Sequence, residues 1–130
     1  MSAPPGKRFA YNRTKSTYLA TQLSVADTHW SRLRGLMGMH ASDFPTGSGL
    51  WIVPCHGVHS LGMRFPIDVL YLDADNMVVH AQEKLSPWRI APVMVRARTV
   101  VELPPGTIRN TSTAVGDTVE FGSNGAGIAG

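Results

Sequence analysis

The chain has 130 residues, 43% hydrophobic and 16% charged, which is the size and composition of one globular domain. No run of about 18 apolar residues occurs, which excludes a transmembrane helix, and a single cysteine excludes an internal disulfide. The net charge of +3 comes from Lys7, Arg8, Arg13 and Lys15, and the rest of the chain is nearly neutral. We therefore do not expect the folded domain to bind nucleic acid.

The start of the chain is predicted to form a flexible basic arm over residues 1–16, where Pro4-Pro5-Gly6 is followed by scattered charges. This arm lacks the apolar segment of a secretory signal, so we expect a cytoplasmic protein. Apolar and polar side chains then alternate over residues 18–25, which predicts a half-buried strand.

A short packed helix is predicted next, from Asp27 or Thr28 to Gly38. Trp30, Leu33 and Met37 recur at helical spacing, and the glycine is a typical C-terminal stop. Residues 41–49 have the composition of a loop. The apolar run at 50–53 indicates a strand that is buried on both faces.

The second half of the chain predicts several short strands. A hairpin is expected between strands 67–72 and 77–80, and further strands at 93–95, 99–103 and 118–121. The glycine-rich tail, 122–130, is predicted to be flexible. Residues 17–121 are thus predicted to be one mainly β (α+β) domain, a small barrel-like or curled antiparallel sheet with one short packed helix.

Three blocks carry a resemblance to a known family: RLRGLMG at 32–38, GLWI at 49–52 with FPIDVLYLD at 65–73, and VELPPGT at 101–107 with a later Gly-Asp at 116–117. In this order and spacing they resemble domain of unknown function 192. The resemblance implies a small β-rich protein of bacteria or archaea without an established activity, so it supplies no catalytic residue. Many members begin with a signal peptide or lipoprotein leader, from which this chain departs.

Asp68 is the most informative single residue, because it interrupts an otherwise apolar strand. A buried carboxylate is costly unless it is paired and hydrogen-bonded. Arg34, at the margin of the predicted helix's apolar face, and Arg64, just before the strand, are the candidate partners. Two interpretations remain: an ion pair that fixes helix to sheet, or the floor of a polar ligand pocket.

Cys55, His56, His59 and Met63 form a second group, whose donor atoms suit copper or zinc. In an extended strand Cys55 and His59 would lie about 13 Å apart, too far to share one ion, unless the chain turns at His56-Gly57. A metal site, a thiol nucleophile assisted by His59, and a structural or pocket-lining role all remain open. Trp88, on a predicted turn, is interpreted either as a contact surface or as a cover for the core.

These observations predict a non-catalytic module that binds a small ligand or a protein partner. Its polar pocket is predicted to contain Arg34, Cys55, His59, Met63, Arg64 and Asp68. The alternatives are soft-metal binding through Cys55 and His59 and a thiol-dependent enzyme with Cys55 as nucleophile. No cofactor is predicted apart from that possible single metal ion, and the protein is expected to be a monomer or weak dimer.

Overall fold

The computed structural model describes residues 7–28, 36–55, 63–89 and 92–123. These ranges are mainly β, as predicted. The strands are β1 (Arg8–Asn12), β2 (Thr17–Ala20), β3 (Gln22–Ala26), β4 (Ser48–Ile52), β5 (Ile67–Leu72), β6 (Val78–Leu85), β7 (Thr99–Leu103) and β8 (Val119–Ser123). A 3-10 turn at Ala41–Asp43 and a one-turn helix, α1 (Thr107–Asn110), complete the described elements.

The strands form two open sheets rather than one closed barrel within these ranges. The small sheet has the order β2-β1-β8, and the large sheet has the order β3-β4-β7-β5-β6. All pairs are antiparallel except β3 and β4, which run parallel. The architecture therefore confirms the predicted curled-sheet class.

Both faces of the large sheet are buried over much of their area. Leu70 and Leu72 of β5 point to the inner face, where they join Ala10 and Leu19 of the small sheet in one hydrophobic cluster. Tyr71, between them, points to the opposite or outer face. Since successive side chains of a strand alternate between faces, a strand buried on both sides is a continuous apolar run.

One glycine allows the two sheets to approach closely. A Cβ added to Gly49 in β4 would lie 2.8 Å from Cβ of Ala20 in β2. Any side chain at position 49 would therefore push the small sheet away from the inner face.

The predicted hairpin is confirmed as β5 and β6, with β6 extending to Leu85. Its turn is held by the side chain of Asp73, whose Oδ1 accepts hydrogen bonds from the amides of Asp75 and Met77 at 2.9 and 3.0 Å. Asn76 has φ of 60°, the left-handed conformation that asparagine tolerates in turns.

The start of the chain differs from the prediction. Residues 8–12, expected within a flexible arm, form β1, the central strand of the small sheet. The predicted strand 18–25 is broken at Thr21, so that β2 belongs to the small sheet and β3 to the large one. Gly47 causes this break, because its carbonyl accepts hydrogen bonds from the amides of both Thr21 and Gln22.

Residues 93–95, predicted as a strand, are not in one. The amide of Ala97 donates to the carbonyl of Met94 at 3.0 Å, which closes a turn in place of a sheet ladder. The preceding Pro92 has no amide hydrogen to donate to a neighbouring strand. The predicted helix 27–38 falls largely on residues 29–35, outside the described residues, but Gly38 has the positive φ, 77°, expected of a helix stop.

Candidate functional site

The structure separates the residues that were predicted to share one pocket. Cys55 and Met63 pack in the outer-face cluster, whereas Asp68 lies in β5 on the inner face. Arg64 is exposed to solvent. The predictions for Arg34 and His59 lie outside the described residues, so the proposed contact between Cys55 and His59 stays a prediction.

Asp68 is buried, but backbone amides rather than an arginine satisfy it. Its Oδ1 accepts a hydrogen bond from the amide of Lys84 at 2.9 Å, and its Oδ2 accepts one from the amide of Ile108 at 2.8 Å. The predicted ion pair with Arg64 is not formed among the described residues. Asp68 therefore links the hairpin to α1, across 40 residues of sequence, and acts as a structural group.

Glu102 in β7 is a second buried carboxyl group, and the sequence analysis did not single it out. It is 2% exposed, and its Oε1 has no hydrogen-bond partner among the described residues. Burial raises the pKa of Glu102 to about 8. A carboxyl group in such surroundings is largely protonated at neutral pH, and a strongly shifted acid without a structural partner is a common mark of a functional site.

The register of the strands places Glu102 on the outer face. It is directly paired with Leu50 of β4 on one side and Val69 of β5 on the other, and both neighbours belong to the outer-face cluster. Ser24 of the edge strand β3 is paired with Leu50. Ser24, Leu50, Glu102 and Val69 therefore form one row across the sheet, with the carboxyl group near its middle.

Three further titratable side chains lie near this row, namely Tyr71, His80 and Cys55. Tyr71 of β5 donates a hydrogen bond from its hydroxyl to the carbonyl of Pro92 at 2.7 Å, and its ring meets His80 of β6 edge-on at 5.1 Å. Burial, followed by the charges of Cys55 and Glu102, raises the pKa of Tyr71 to about 12. The phenol is therefore neutral and occupied, so it does not supply the donor that Glu102 lacks.

A groove of about 460 Å³ opens on the outer face along β3. Its apolar lining includes Leu36, Met39, Phe44 and Leu50. Polar groups also line it, among them Ser24, Asp43 and Lys7. Leu50 is common to the groove and to the row of Glu102, so the groove ends one strand away from the unpartnered carboxyl group.

A separate polar network ties the small sheet together. Asn12 is fully buried and donates from Nδ2 to Thr113 at 2.9 Å and to Asp117 at 3.0 Å. Lys15 forms an ion pair with Asp117 at 2.8 Å. Burial acts to raise the pKa of Asp117, but the hydrogen bonds from Asn12, Lys15 and the amide of Ala114 lower it by more. All these polar groups are partnered within the network, which we interpret as structural.

Two features of the described ranges bear on other functions. No group of three or more His, Cys, Asp or Glu residues with metal-binding geometry is found there. No helix in those ranges is long and apolar enough to cross a membrane. Trp88 is 67% exposed, so within the described chain its indole does not cover the core.

The sequence did contain a signal for Glu102. Thr99–Leu103 reads TVVEL, a short strand with one carboxylate among apolar neighbours, which is the same pattern that drew attention to Asp68. The two residues differ only in what contacts them, and the sequence alone does not show that.

The fold and the site thus define a small two-sheet β protein in which, among the described buried acids, Asp68 and Asp117 are satisfied and Glu102 is not. The family model of DUF192, described as "Uncharacterized ACR", matches residues 10–121. The chain belongs to this family, as the sequence blocks indicated.

Curated relatives are similar to this chain over most of its length. A UPF0127 protein of Pyrococcus furiosus is 32% identical over 85% of this chain and 95% of its own length. A UPF0127 protein of Thermococcus sibiricus is 28% identical over 85% of this chain and 72% of its own length.

Among solved structures, a protein of unknown function from Novosphingobium aromaticivorans has a TM-score of 0.74 at 17% identity, over 87% of this chain and 82% of that chain. A putative transcription regulator from Sinorhizobium meliloti has a TM-score of 0.71 at 18% identity, over 93% of this chain and 96% of that chain. At these identities the two structures are similar in fold alone.

Proposed function

We propose that the protein is a non-catalytic module that binds a small molecule in the outer-face groove, with Glu102 as the polar group that recognises it. The observation that carries this proposal is the Oε1 atom of Glu102, which is buried and has no hydrogen-bond partner among the described residues. An unsatisfied buried acceptor costs about 1–3 kcal/mol. A bound molecule that donates a hydrogen bond to Glu102 recovers that free energy.

The shape and lining of the groove support the same proposal. Ligand sites are usually concave and mostly apolar, with a few polar groups that orient the ligand, and volumes of about 300–1,000 Å³ are typical. The groove falls in this range, at about 460 Å³. Its apolar lining suits the body of a ligand, and the row Ser24, Leu50, Glu102 leads from its floor to the acid.

The distance from the groove to the acid is short. Directly paired residues of neighbouring strands have Cβ atoms about 5 Å apart. Glu102 itself does not line the groove, so we expect a ligand that lies on Leu50 to reach the carboxyl group through a rearrangement of the side chains between them.

A fragment library screened by ligand-observed NMR tests the proposal. We expect aromatic and aliphatic fragments with a hydrogen-bond donor to bind wild-type protein. Ser24→Phe fills the groove from an exposed position and is expected to abolish binding without unfolding the domain. Ser123→Phe places the same side chain on β8, outside the groove, and is expected to bind as wild type does.

Two outcomes contradict the proposal. Either no fragment binds the wild-type protein, or the fragments that bind do so equally well to Ser24→Phe. The alternatives raised from the sequence, a metal held by Cys55 and His59 or a Cys55 nucleophile, stay predictions, as does a cytoplasmic location.

A further inference from the structure

Glu102 also indicates the chemical class of the ligand. Resting on the function proposed above, we infer that the molecule that completes this site is a small organic cation, an amine or guanidine with an apolar body, whose charge is held by the ionised carboxylate of Glu102.

Among the described residues, the carboxyl group of Glu102 lacks both a hydrogen-bond donor to Oε1 and a cationic partner. Its described cross-strand neighbours, Leu50 and Val69, are apolar, and none of the ion pairs in the described ranges includes it. The hydroxyl of Tyr71, on the same face, is already bonded to Pro92, and the Nε2 atom of His80 beside it makes no described hydrogen bond to Glu102. The site therefore offers an acceptor without a donor and a potential negative charge without a cation.

The surroundings of Glu102 favour a cation over an anion or a neutral donor as the ligand. An anion would meet the carboxyl group of Glu102, and the basic side chain that lines the groove, Lys7, is not in the row of that acid, so burial of the anion beside Glu102 would be uncompensated. A neutral donor such as an alcohol satisfies one oxygen and leaves the acid protonated. A cation stabilises the site more than a neutral donor does, because opposite charges in apolar surroundings interact strongly and favour the ionised acid.

Binding of a cation also releases the carboxyl proton of Glu102. Before binding, burial keeps the carboxyl group of Glu102 protonated at neutral pH. When an ammonium group binds, the carboxyl proton passes to the solvent and the carboxylate pairs with the ligand. Charge is conserved, since one cation enters the site and one proton leaves it. The other titratable groups on this face and its groove, within the described ranges, include Tyr71, His80, Cys55, Asp43 and Lys7.

The test uses three probes of equal length: 4-phenylbutylamine, 4-phenylbutanol and 4-phenylbutyrate. Isothermal titration at pH 7 in phosphate and in Tris separates the heat of binding from the heat of proton release. We expect the amine to bind about tenfold or more tightly than the alcohol and to release up to one proton, and the butyrate to bind weakest. Glu102→Gln is expected to bring amine and alcohol within about twofold and to abolish the proton release.

The control variant is Glu120→Gln, which removes a carboxylate from β8, outside the groove, and should behave as wild type. If the alcohol binds as tightly as the amine and Ser24→Phe abolishes its binding, the inference of a cationic ligand is overturned. The groove then remains a ligand site. Proton release that persists in Glu102→Gln would also overturn the inference. If none of the three probes binds, this inference fails, and the fragment screen described above decides separately whether the proposed function fails with it.

Discussion

Asp68 and Glu102 are buried acids on neighbouring strands of one sheet, yet their carboxyl groups have opposite surroundings. Asp68 faces the small sheet and accepts two backbone hydrogen bonds, from Lys84 and Ile108. Glu102 faces the outer cluster and has an oxygen with no partner in the described ranges. The same type of group is therefore a structural tie on one face and an unfilled acceptor on the other.

The difference shows what a buried acid needs in order to be structural. Backbone amides fixed by other elements satisfy Asp68 without any mobile side chain, so its environment is complete before a ligand binds. Glu102 lies among the side chains of the outer face, and no backbone amide of the described residues donates to its Oε1 atom. Only a side chain or a ligand can complete its environment.

The largest effect is expected from removing Asp68. Asp68→Ala leaves the amides of Lys84 and Ile108 buried without an acceptor, and hydrogen bonds to a charged group contribute about 1.5–3 kcal/mol each. We expect the free energy of unfolding to fall by about 3–5 kcal/mol in urea denaturation. Asp68→Asn keeps one acceptor oxygen and should lose about half as much.

The matched control is Asp75→Ala in the exposed turn between β5 and β6, which should change stability by no more than about 0.5 kcal/mol. A loss of under about 1 kcal/mol for Asp68→Ala would mean that the two amides find other acceptors. In that case the contrast between Asp68 and Glu102 would not hold.

Glu102 is expected to affect stability in the opposite sense and only in one range of pH. Its folded-state pKa, about 8, exceeds its ordinary value of 4.5, so the folded state holds a proton that the unfolded state releases. Stability therefore falls as pH rises through this window, at up to about 1.4 kcal/mol per pH unit. Glu102→Gln removes this slope and should be about 2 kcal/mol or more above wild type at pH 8.

Urea denaturation of wild type and Glu102→Gln at pH 5 and pH 8 tests the predicted dependence of stability on pH. The difference between the two curves isolates Glu102 from the histidines, which titrate in the same range in both proteins. Equal slopes for wild type and Glu102→Gln would show that folding does not raise the pKa of Glu102, and the site proposed here would lose its basis.

The comparison of the two acids also shows how far the sequence could lead. Alternation and turn residues were sufficient for the hairpin β5–β6 and for β7, because those signals are local. The break at Thr21 and the strand at 8–12 were missed, since Gly47 and β8, which cause them, lie far away in sequence. Asp68 was identified as buried, but its partners come from β6 and α1, and no pattern around residue 68 points to them.

A smaller effect is expected from Tyr71, which shares the outer face with Glu102. Tyr71→Phe removes the hydrogen bond to Pro92 and keeps the ring, so we expect a loss of about 1 kcal/mol. Since no hydrogen bond joins Tyr71 to Glu102 in the described structure, the effects of Tyr71→Phe and Glu102→Gln should add within about 0.5 kcal/mol at pH 7. A larger coupling energy in that double-mutant cycle would identify the phenol as the missing donor.

The smallest effect is expected at a third acid, Asp117, whose surroundings are intermediate. Lys15 pairs with it from a side chain that is about one third exposed, and Asn12 and the amide of Ala114 also donate to it. Because those two donors remain, Lys15→Met should lower the free energy of unfolding by only about 0.5–1 kcal/mol at pH 7.

The sign of the pH dependence distinguishes this acid from Glu102. The pKa of Asp117 lies below its ordinary 3.8, so the stability it contributes is present above that pH and is lost as pH falls through the folded-state value. The difference between wild type and Lys15→Met in urea should therefore shrink below about pH 4 and stay constant from pH 5 to 8. A difference that instead grows towards pH 8 would mean that Asp117 is no better satisfied than Glu102. The number of donors around each carboxyl group would then not explain the contrast between the two faces.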